Sequence, residues 1–352
     1  MSTASPRILA LATAVPPYAL GQAEVAVRAR HLFAGAAAAL ELDRMMPIFA
    51  NAGIERRYSC VPIDWYDRPH GWVERNALYL DNAVDLLERA ARQALARAGL
   101  APRDIDATVV VSTTGIATPS LDAMLMGPLG LRPEVRRLPI FGLGCAGGVL
   151  GLSRAASLAR ERPASRVLFL VVELCALCFR KDDTSKSNLV ATALFGDGAA
   201  AAVLSCEGEG VALGAGGEHT WPDTLPVMGW DVAENGLKAL FSRDIPAIVR
   251  HDLRSAAEQF LAAEGLSFAA IEDFVCHPGG AKVVPALEAA YGLVEGRLAD
   301  ERAVLRDYGN MSSATVLFVL ERRLARGPSG RLLMTALGPG FTAGFQLLEG
   351  RA

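Results

Sequence analysis

The sequence has no long uninterrupted apolar run, and its six cysteines are scattered. No segment reaches the ~18 to 20 apolar residues that a membrane-spanning helix needs. The apolar stretch that starts at Ile8 contains Thr13 and ends in Pro16-Pro17, so we interpret it as a buried first strand and not as a signal peptide. The cysteines lack the spacing of a disulfide framework, which a chain of this size does not need. These absences predict a cytoplasmic protein with reduced thiols and no membrane span.

Lysine is also scarce, and no charge of either sign dominates. Of the 35 basic residues only four are lysines, and the formal net charge is −3. This balance does not favour nucleic acid as a partner. Hydrophobic residues make up 51% of the 352 positions and charged residues 21%, which argues against a disordered chain. The length allows two domains or one doubled domain with a substantial core.

Segments of strand length alternate with segments of helical period along the whole chain, which is the pattern of an α/β protein. Residues 78–98 predict an amphipathic helix that Gly99 ends, followed by a strand over residues 107–111. Residues 247–264 predict a comparable helix, and residues 274–276 a comparable strand. The second half of the chain therefore repeats the first.

The two copies keep a nearly constant offset of 165 or 166 positions. A register held over more than 65 residues indicates an internal duplication and resembles the five-layered αβαβα thiolase fold. We expect two thiolase-like halves, residues 1–208 and 209–352, the first with a cysteine at the start of a central helix. The matched positions are Gly99 and Gly265, Cys145 and Asn310, and Arg166 and Arg331.

That cysteine, Cys145, lies in a glycine-rich turn. Residues 141–148 read Phe-Gly-Leu-Gly-Cys-Ala-Gly-Gly and precede a helix of small and apolar residues. The glycines allow a tight strand-to-helix turn, and a helix N-terminus favours the thiolate form of a cysteine. A buried structural cysteine is the alternative, but this setting favours a nucleophile.

Two residues of the second half are candidate partners of Cys145. His277 ends a strand in His-Pro-Gly-Gly, where an imidazole can stabilise the thiolate as an ion pair and donate to an oxyanion. Asn310, in Tyr-Gly-Asn-Met-Ser-Ser, is the counterpart of Cys145 and offers a neutral amide donor, although a lone asparagine is more often a helix cap. The duplication would aim all three residues at one site.

Together these motifs resemble those of the chalcone-synthase-like type III polyketide synthases. The resemblance spans about residues 8–349 and includes Leu194-Phe-Gly-Asp-Gly-Ala-Ala and Gly338-Pro-Gly. It implies a homodimeric acyltransferase in which Cys145 takes the acyl group of an acyl-CoA starter. His277 and Asn310 then stabilise the enolate formed when malonyl-CoA loses carbon dioxide, and the extended chain closes to a pyrone or to a resorcinol- or phloroglucinol-type product. The resemblance implies CoA thioesters as substrates and neither a metal nor a redox cofactor.

The resemblance also identifies residues that line the reaction cavity, and among them Thr118 matches a residue that crosses the dimer interface. Cys175 and Cys178 replace threonines, and this Cys-x-x-Cys lacks the second pair expected for zinc. Ala239 and Leu337 replace family aromatic residues and favour a tunnel for a long acyl chain, as in alkylpyrone and alkylresorcinol synthases, although repacking can equally close it. The cavity-lining set is Thr113, Thr118, Cys175, Cys178, Ala239, Ser312 and Leu337.

The family holds the CoA phosphates with three basic residues, of which Arg44 alone is basic in this sequence. Arg56 and Arg57 lie close by and are substitutes for phosphate binding, the alternative being a solvated arginine pair. Gly279 and Gly280 would let the pantetheine arm approach the backbone. Because two cations are missing, an acyl carrier protein remains an alternative donor of the starter.

Two other interpretations are open. A ketoacyl carrier-protein synthase III shares the fold and a Cys-His-Asn triad, but its histidine motif usually continues Gln-Ala-Asn, whereas Pro-Gly-Gly follows His277. A non-catalytic thiolase-fold binding protein is an alternative of another class. The complete triad argues against it.

Overall fold

The computed structural model describes residues 5–34, 39–234, 236–242 and 244–350. Strands and helices alternate through these residues, as the sequence predicts. The strands are β1 (Arg7–Ala14), β2 (Tyr18–Gly21), β3 (Arg56–Ser59), β4 (Ala107–Val111), β5 (Arg136–Ile140), β6 (Val167–Leu174), β7 (Asp197–Ser205), β8 (Val211–Thr220), β9 (Met228–Ala233), β10 (Gly236–Phe241), β11 (Asp273–Cys276), β12 (Arg331–Gly338) and β13 (Thr342–Glu349). The helices are α1 (Gln22–Phe33), α2 (Ala39–Met45), α3 (Pro47–Ala50), α4 (Trp72–Ala98), α5 (Leu121–Leu129), α6 (Gly147–Glu161), α7 (Lys186–Leu194), α8 (Ile245–Ala263), α9 (Val283–Tyr291), α10 (Ala299–Tyr308) and α11 (Thr315–Ala325).

Nine strands form one mixed sheet in the order β11-β12-β13-β8-β1-β7-β6-β4-β5. The order repeats outward from the centre, where β1 and β8 pair only through Arg7 and Ile8. In the first half β4 is parallel to β6, which is antiparallel to β7. In the second half β11 is parallel to β12, which is antiparallel to β13. The topology therefore contains the duplication that the sequence predicts.

Helices α6 and α11 lie in the middle of the molecule. Val149 of α6 and Val316 of α11 share one buried core with strand residues of both halves, including Phe169 and Met334. The buried face of α4 covers the outer side of the first-half strands, and α8 and α9 cover the outer side of the second-half strands. The layers run in the order α4, first-half strands, α6 with α11, second-half strands, and α8 with α9. This five-layered αβαβα order confirms the thiolase fold. The predicted boundary between residues 208 and 209 falls in the turn between β7 and β8, and the division into halves stays a prediction.

Local structure follows the glycine and apolar patterns closely. Helix α4 ends where Gly99 adopts φ +66°, a left-handed conformation that a glycine adopts without strain. It begins at Trp72, six residues before the predicted start, because its first turns carry mixed polar side chains that do not extend the apolar stripe. None of the described helices is long and apolar enough to span a membrane.

Candidate active site

Cys145 lies in a 3₁₀ turn, Gly144–Ala146, that leads directly into the central helix α6. Gly144 has φ +46°, and a Cβ atom there would lie 2.5 Å from Cδ of Pro339, so the turn requires glycine. The Gly144 amide donates to the Thr113 hydroxyl at 3.1 Å. Only 8% of Cys145 is exposed. The sequence motifs around Cys145 and Gly338-Pro-Gly thus pack against each other and fix the thiol.

Asn310 occupies the equivalent place in the second half, just before the 3₁₀ turn Ser312–Ala314 and helix α11. Its backbone is held by Leu194-Phe-Gly: the Asn310 amide donates to the Leu194 carbonyl at 2.8 Å, and Gly196 donates to the Asn310 carbonyl at 3.0 Å. Its side-chain oxygen accepts from the Ser312 amide at 2.8 Å. The Cys145 thiol reaches the Ser312 hydroxyl at 3.7 Å. The two copies therefore meet at these two turns.

His277 follows β11, where its backbone amide donates to the Thr335 carbonyl of the neighbouring strand at 2.9 Å. The Asn310 side-chain amide donates to the Gly279 carbonyl at 3.0 Å, which joins the His277 loop to the Asn310 turn. Both ring nitrogens of His277 are buried, and neither has a hydrogen-bond partner in the protein. The structure thus brings the three predicted residues to one buried place and leaves the imidazole nitrogens unpaired by protein groups.

Burial dominates the electrostatics of the thiol and the imidazole. Removal from water raises the pKa of Cys145 to about 12, although its hydrogen bonds with Ser312 and Asn310 act in the opposite direction. Burial also lowers the pKa of His277 to about 4. The structure therefore favours a neutral thiol and a neutral imidazole. Burial thus opposes the thiolate–imidazolium pair expected from the sequence, whereas the helix N-terminus favours the thiolate, and the pair stays a prediction.

Glu173 is a buried carboxyl group that the sequence analysis did not single out. One oxygen accepts from the Thr113 amide at 3.0 Å and the Thr114 hydroxyl at 2.9 Å, and the other accepts from the Ser313 hydroxyl at 2.5 Å. Burial raises its pKa to about 7, against these hydrogen bonds. It ties the end of β4 to the turn beside Asn310. A lone acidic residue in the apolar strand Val167–Leu174 was the signal that could have revealed it.

The predicted pair Cys175 and Cys178 forms a 3₁₀ turn after β6. Asp197 holds this turn by accepting from the Ala176 amide at 2.8 Å. Burial raises the pKa of Cys178 and of Cys175 above their usual range. In the described part of the chain no group of three or more His, Cys, Asp or Glu side chains could hold a metal ion.

The turn separates two cavities. Cys175 lines the first, which we call the apolar cavity; it has a volume of about 540 Å³, part of it open to solvent. Its wall includes Ala29 and Leu32 of α1, Phe179, and Ala191 of α7. Cys178 lines a second cavity on the other side. The two cysteines therefore face different environments.

Ala239 and Leu337, the two residues expected to open a tunnel, are both buried against neighbouring side chains. Ala239 is buried against Cys175, Ala191 and Phe195, with Trp230 beside them. Leu337 lies in the outer core of the second half, 7% exposed. The apolar space lies instead between α1 and α7, because the aromatic rings of β9 and β10 fill the volume around Ala239.

The arginines divide into two groups. Arg44 and Arg56 are exposed, and the Arg56 guanidinium lies 5.6 Å from the Tyr58 ring centre. Arg57 is only 3% exposed and donates to Thr192 and Phe195 carbonyls at the end of α7. Its expected role in phosphate binding does not fit this position, because its guanidinium caps a helix in the interior. The sequence shows two adjacent arginines and cannot show that β3 points them in opposite directions.

The remaining predicted residues lie at the edges of the site. Gly279 and Gly280 follow His277, and a Cβ atom at either would make only ordinary contacts of 3.6 Å or more, so crowding does not demand glycine there. Thr118 is exposed, in the loop between β4 and α5. Within one chain it is not part of the Cys145 surroundings.

Comparisons with known proteins agree with the fold and the motifs. The sequence profile of the N-terminal domain of chalcone and stilbene synthases matches residues 67–208, and that of the C-terminal domain matches residues 215–349. The chain is 38% identical to a 1,3,6,8-tetrahydroxynaphthalene synthase of Streptomyces peucetius over 97% of its length and 92% of that protein. It is 32% identical to a phloroglucinol synthase of Pseudomonas fluorescens, over 84% of this chain and 86% of that one.

Comparison with solved structures indicates the same family. The crystal structure of 1,3,6,8-tetrahydroxynaphthalene synthase from Streptomyces coelicolor superposes with a TM-score of 0.93 at 29% identity, covering 98% of this chain and 99% of that one. The fold and the matches place the protein among the condensing acyltransferases. The chain belongs to the chalcone and stilbene synthase family and is a type III polyketide synthase. Enzymes of this family use CoA thioesters.

Proposed function

We propose that the protein transfers an acyl starter to Cys145, extends it with units from malonyl-CoA, and closes the chain to a pyrone or to a resorcinol- or phloroglucinol-type product. The observation that carries the proposal is the meeting of the two 3₁₀ turns. The Cys145 thiol lies 3.7 Å from the Ser312 hydroxyl, two residues beyond Asn310, and Asn310 in turn is bonded to the His277 loop. A nucleophile and two candidate oxyanion donors are thereby held by rigid elements.

We take the neutral thiol and imidazole, which burial favours, as the starting state of the first step. Cys145 sulfur attacks the starter carbonyl while its proton passes to a neutral imidazole nitrogen of His277, and CoA leaves as its thiol after taking a proton. In the second step malonyl-CoA loses carbon dioxide, and the Asn310 amide and His277 N–H donate to the enolate oxygen. The carbanion then attacks the thioester on Cys145, the carbon–sulfur bond breaks, and the extended chain remains on the incoming CoA.

We further propose that the starter carries a long apolar acyl chain that enters the apolar cavity. Cys175, whose side chain lines this cavity, is close enough to Cys145 for their charges to interact. Ala29, Leu32, Phe179 and Ala191 supply an apolar wall. Burial of each methylene of the chain contributes about 0.8 kcal/mol, so the cavity favours long chains over acetyl groups.

A substitution in α1 tests the position of the starter. Ala29 is 2% exposed and lines the cavity, whereas Ala23 on the same helix is exposed. We expect Ala29→Leu to lower the ratio of kcat/KM for decanoyl-CoA to that for acetyl-CoA by about tenfold, because added methylenes fill the space that the chain needs. Ala23→Leu is the matched control and should leave the ratio unchanged. An unchanged ratio in Ala29→Leu would place the starter elsewhere.

For the CoA moiety we propose Arg44 and Arg56 as phosphate contacts, since both are exposed cations, with Gly279 and Gly280 beside the pantetheine arm. A carrier protein is the alternative donor. Turnover of decanoyl-CoA and of decanoyl carrier protein by the wild type shows which of the two donors delivers the starter. If CoA is the donor, Arg44→Gln and Arg56→Gln should each raise KM for decanoyl-CoA. Unchanged KM values in both variants would exclude these arginines.

We propose a homodimer that forms through the region of the edge strand β5. Leu138 (36% exposed) lies in β5 and Phe141 (60%) directly follows it, and Ile116 (47%) is a third large apolar side chain that is exposed, in the loop after β4. Thr118 lies in the same loop as Ile116 and would reach the partner's cavity. Sedimentation should give twice the chain mass for the wild type, and Phe141→Asp should shift the protein to the monomer. A monomeric wild type would refute the dimer.

The test of the whole proposal is incubation with malonyl-CoA and a panel of acyl-CoA starters, followed by mass spectrometry of the products. We expect products whose masses equal the starter plus whole two-carbon units, with decanoyl-CoA consumed faster than acetyl-CoA or aromatic starters. Faster turnover of acetyl-CoA would refute the long-chain starter, and the absence of any extended product would refute the function.

A further inference from the structure

Strand β11, which places His277, lies at one edge of the nine-stranded sheet and is only four residues long. Among the described strands it pairs with β12 alone. The His277 amide donates to the Thr335 carbonyl at 2.9 Å across this pair, so the amide of the preceding residue, Cys276, points to the outer side. Unpaired N–H groups of this kind are a feature of edge strands. The end of β11 therefore has a neighbouring strand on one side only.

Glu301 of α10 binds the outer side of β11. Its Oε1 accepts from the Cys276 amide at 3.0 Å, and the residue is fully buried. Two positions earlier, the Phe274 amide also donates to a carboxylate, that of Asp273, at 2.9 Å. Buried backbone N–H groups need such partners when no strand lies beside them. Two carboxylates thus bind the edge amides at the place where a further strand would otherwise pair.

A buried arginine connects these carboxylates to α11, the helix that follows the Asn310 turn. Arg323 lies in the last turn of α11 and is 9% exposed. Its Nη1 donates to Oδ2 of Asp273, and its Nη2 lies 3.9 Å from Oε2 of Glu301. Its Nε lies 3.4 Å from Oδ2 of Asp300, the residue before Glu301. This ionic cluster therefore ties β11 and α10 to α11.

The location of the His277 imidazole depends on the backbone around it. Neither of its ring nitrogens has a hydrogen-bond partner among the described residues, so no polar side chain orients the ring. After His277 the Gly279 carbonyl accepts from the Asn310 side chain at 3.0 Å, and before it the Cys276 amide donates to Glu301. These two bonds hold the backbone on both sides of the imidazole. A displacement of about 1 Å in a catalytic site costs up to about 10²-fold in rate.

Glu301 offers an acceptor oxygen in either of its protonation states. Burial raises its pKa to about 7, although the Cys276 amide and the Arg323 charge act in the opposite direction. The neutral carboxylic acid keeps a carbonyl oxygen, as glutamine does, and that oxygen accepts from an amide. The contact with Cys276 is therefore separable from the negative charge, which glutamine lacks.

We propose that Glu301 is a positioning residue, which fixes the imidazole of His277 through the Cys276 amide. Its carboxylate acts on the backbone and not on the reacting atoms. The inference rests on the proposed function, in which His277 donates to the enolate oxygen as malonyl-CoA loses carbon dioxide. A displaced imidazole weakens a hydrogen bond that strengthens only in the transition state. Loss of the Glu301 contact should therefore lower kcat for decarboxylation and leave KM for malonyl-CoA unchanged.

Steady-state decarboxylation of malonyl-CoA, followed by release of labelled carbon dioxide, tests the proposal. Glu301→Met removes the carboxylate at nearly the same length, and we expect it to lower kcat about tenfold with KM unchanged. Glu301→Gln is the conservative variant: it loses the charge but keeps the acceptor oxygen, so its kcat should stay within about twofold of the wild type. Glu264→Met, at an exposed glutamate that ends α8, is the control and should match the wild type.

Glu301→Asp keeps the proposal testable if Glu301→Met fails to fold, as judged by thermal unfolding. It retains the charge beside Arg323 but is one methylene shorter, so its oxygens lie farther from the Cys276 amide. Its kcat should fall below that of Glu301→Gln. Wild-type kcat in both Glu301→Met and Glu301→Asp would overturn the proposal. A loss of kcat in Glu301→Gln as large as in Glu301→Asp would overturn it too, because the charge and not the amide contact would then matter.

A double-mutant cycle with His277→Ala shows whether Glu301 acts through the imidazole. If it does, Glu301→Met should cause no further loss of kcat in a protein that already carries His277→Ala. The same tenfold loss in both backgrounds would mean that Glu301 acts independently of His277, and would overturn the proposal. A wild-type rate in His277→Ala alone would refute the oxyanion role of His277 and the positioning role with it. A slow His277→Ala beside wild-type rates in the Glu301 variants would refute the positioning role alone.

Discussion

The 3₁₀ turn that carries Cys145 and the 3₁₀ turn that follows Asn310 lie at the starts of the two central helices, one in each half of the molecule. Each is a short 3₁₀ turn that leads into a central helix, and the two lie in contact. The first turn is made of glycine, cysteine and alanine and buries a thiol. The second is polar, with Asn310, Ser312 and Ser313 all buried and hydrogen-bonded. Duplication thus gives both halves the same backbone arrangement, and differences in a few side chains give one half a thiol and the other an amide.

Removing the thiol should have the largest effect on this pair of turns. We expect Cys145→Ala to reduce chain extension by at least about 10³-fold, because the proposed acyl intermediate forms on this thiol. Decarboxylation of malonyl-CoA should continue, since it depends on the other turn. Extension is measured by product mass spectrometry and decarboxylation by release of labelled carbon dioxide. Cys206→Ala, at a half-buried thiol after β7, is the control and should keep both activities. Extension by Cys145→Ala would disprove the nucleophile.

Removing the donors of the second half should affect the other step. Asn310→Ala and His277→Ala should each slow decarboxylation of malonyl-CoA by about 10²- to 10³-fold, the usual cost of losing one oxyanion donor. Transfer of a starter to Cys145 should survive in Asn310→Ala, which mass spectrometry of the intact protein can show. If either variant releases carbon dioxide at the wild-type rate, the replaced residue is not an oxyanion donor in decarboxylation.

The burial of the thiol and the imidazole, which favours their neutral forms, predicts a pH dependence. With the pKa of Cys145 near 12 and that of His277 near 4, the thiolate fraction rises throughout the neutral range. Alkylation of Cys145 by iodoacetamide should therefore accelerate about tenfold per pH unit between pH 6 and 9, because only the thiolate reacts. The rate is followed on the Cys145 peptide by mass spectrometry. A rate independent of pH over this range would indicate a thiolate–imidazolium pair.

The contact between the two turns also contributes to stability. A Cβ atom on Gly148 of α6 would lie 2.3 Å from the Ser313 carbonyl oxygen. We expect Gly148→Ala to lower the free energy of unfolding by about 1–3 kcal/mol, as overpacking does. Gly229→Ala is the control, because a Cβ atom there would have no neighbour within 4 Å. It should match the wild type or be slightly more stable in urea unfolding. Equal stability of Gly148→Ala and Gly229→Ala would mean that the turns can move apart.

Much of this arrangement could be predicted from the sequence, because glycine positions and apolar periodicity are local signals. Gly99 and Gly265 ended the predicted helices, and the offset between Cys145 and Asn310 predicted their pairing. What could not be predicted depends on packing between distant segments. Burial of Arg57 follows from which face of β3 meets α7, and the closed space at Ala239 follows from Trp230 on the neighbouring strand. The lowered pKa of His277 follows from its burial, which no local pattern encodes.

The most direct test of the account is the location of the acyl intermediate among three neighbouring thiols. Wild-type protein is incubated with decanoyl-CoA in the absence of malonyl-CoA, and its peptides are then mapped by mass spectrometry. The account predicts one decanoyl group, attached to Cys145. A decanoyl group on Cys175 or Cys178 with none on Cys145 would contradict it.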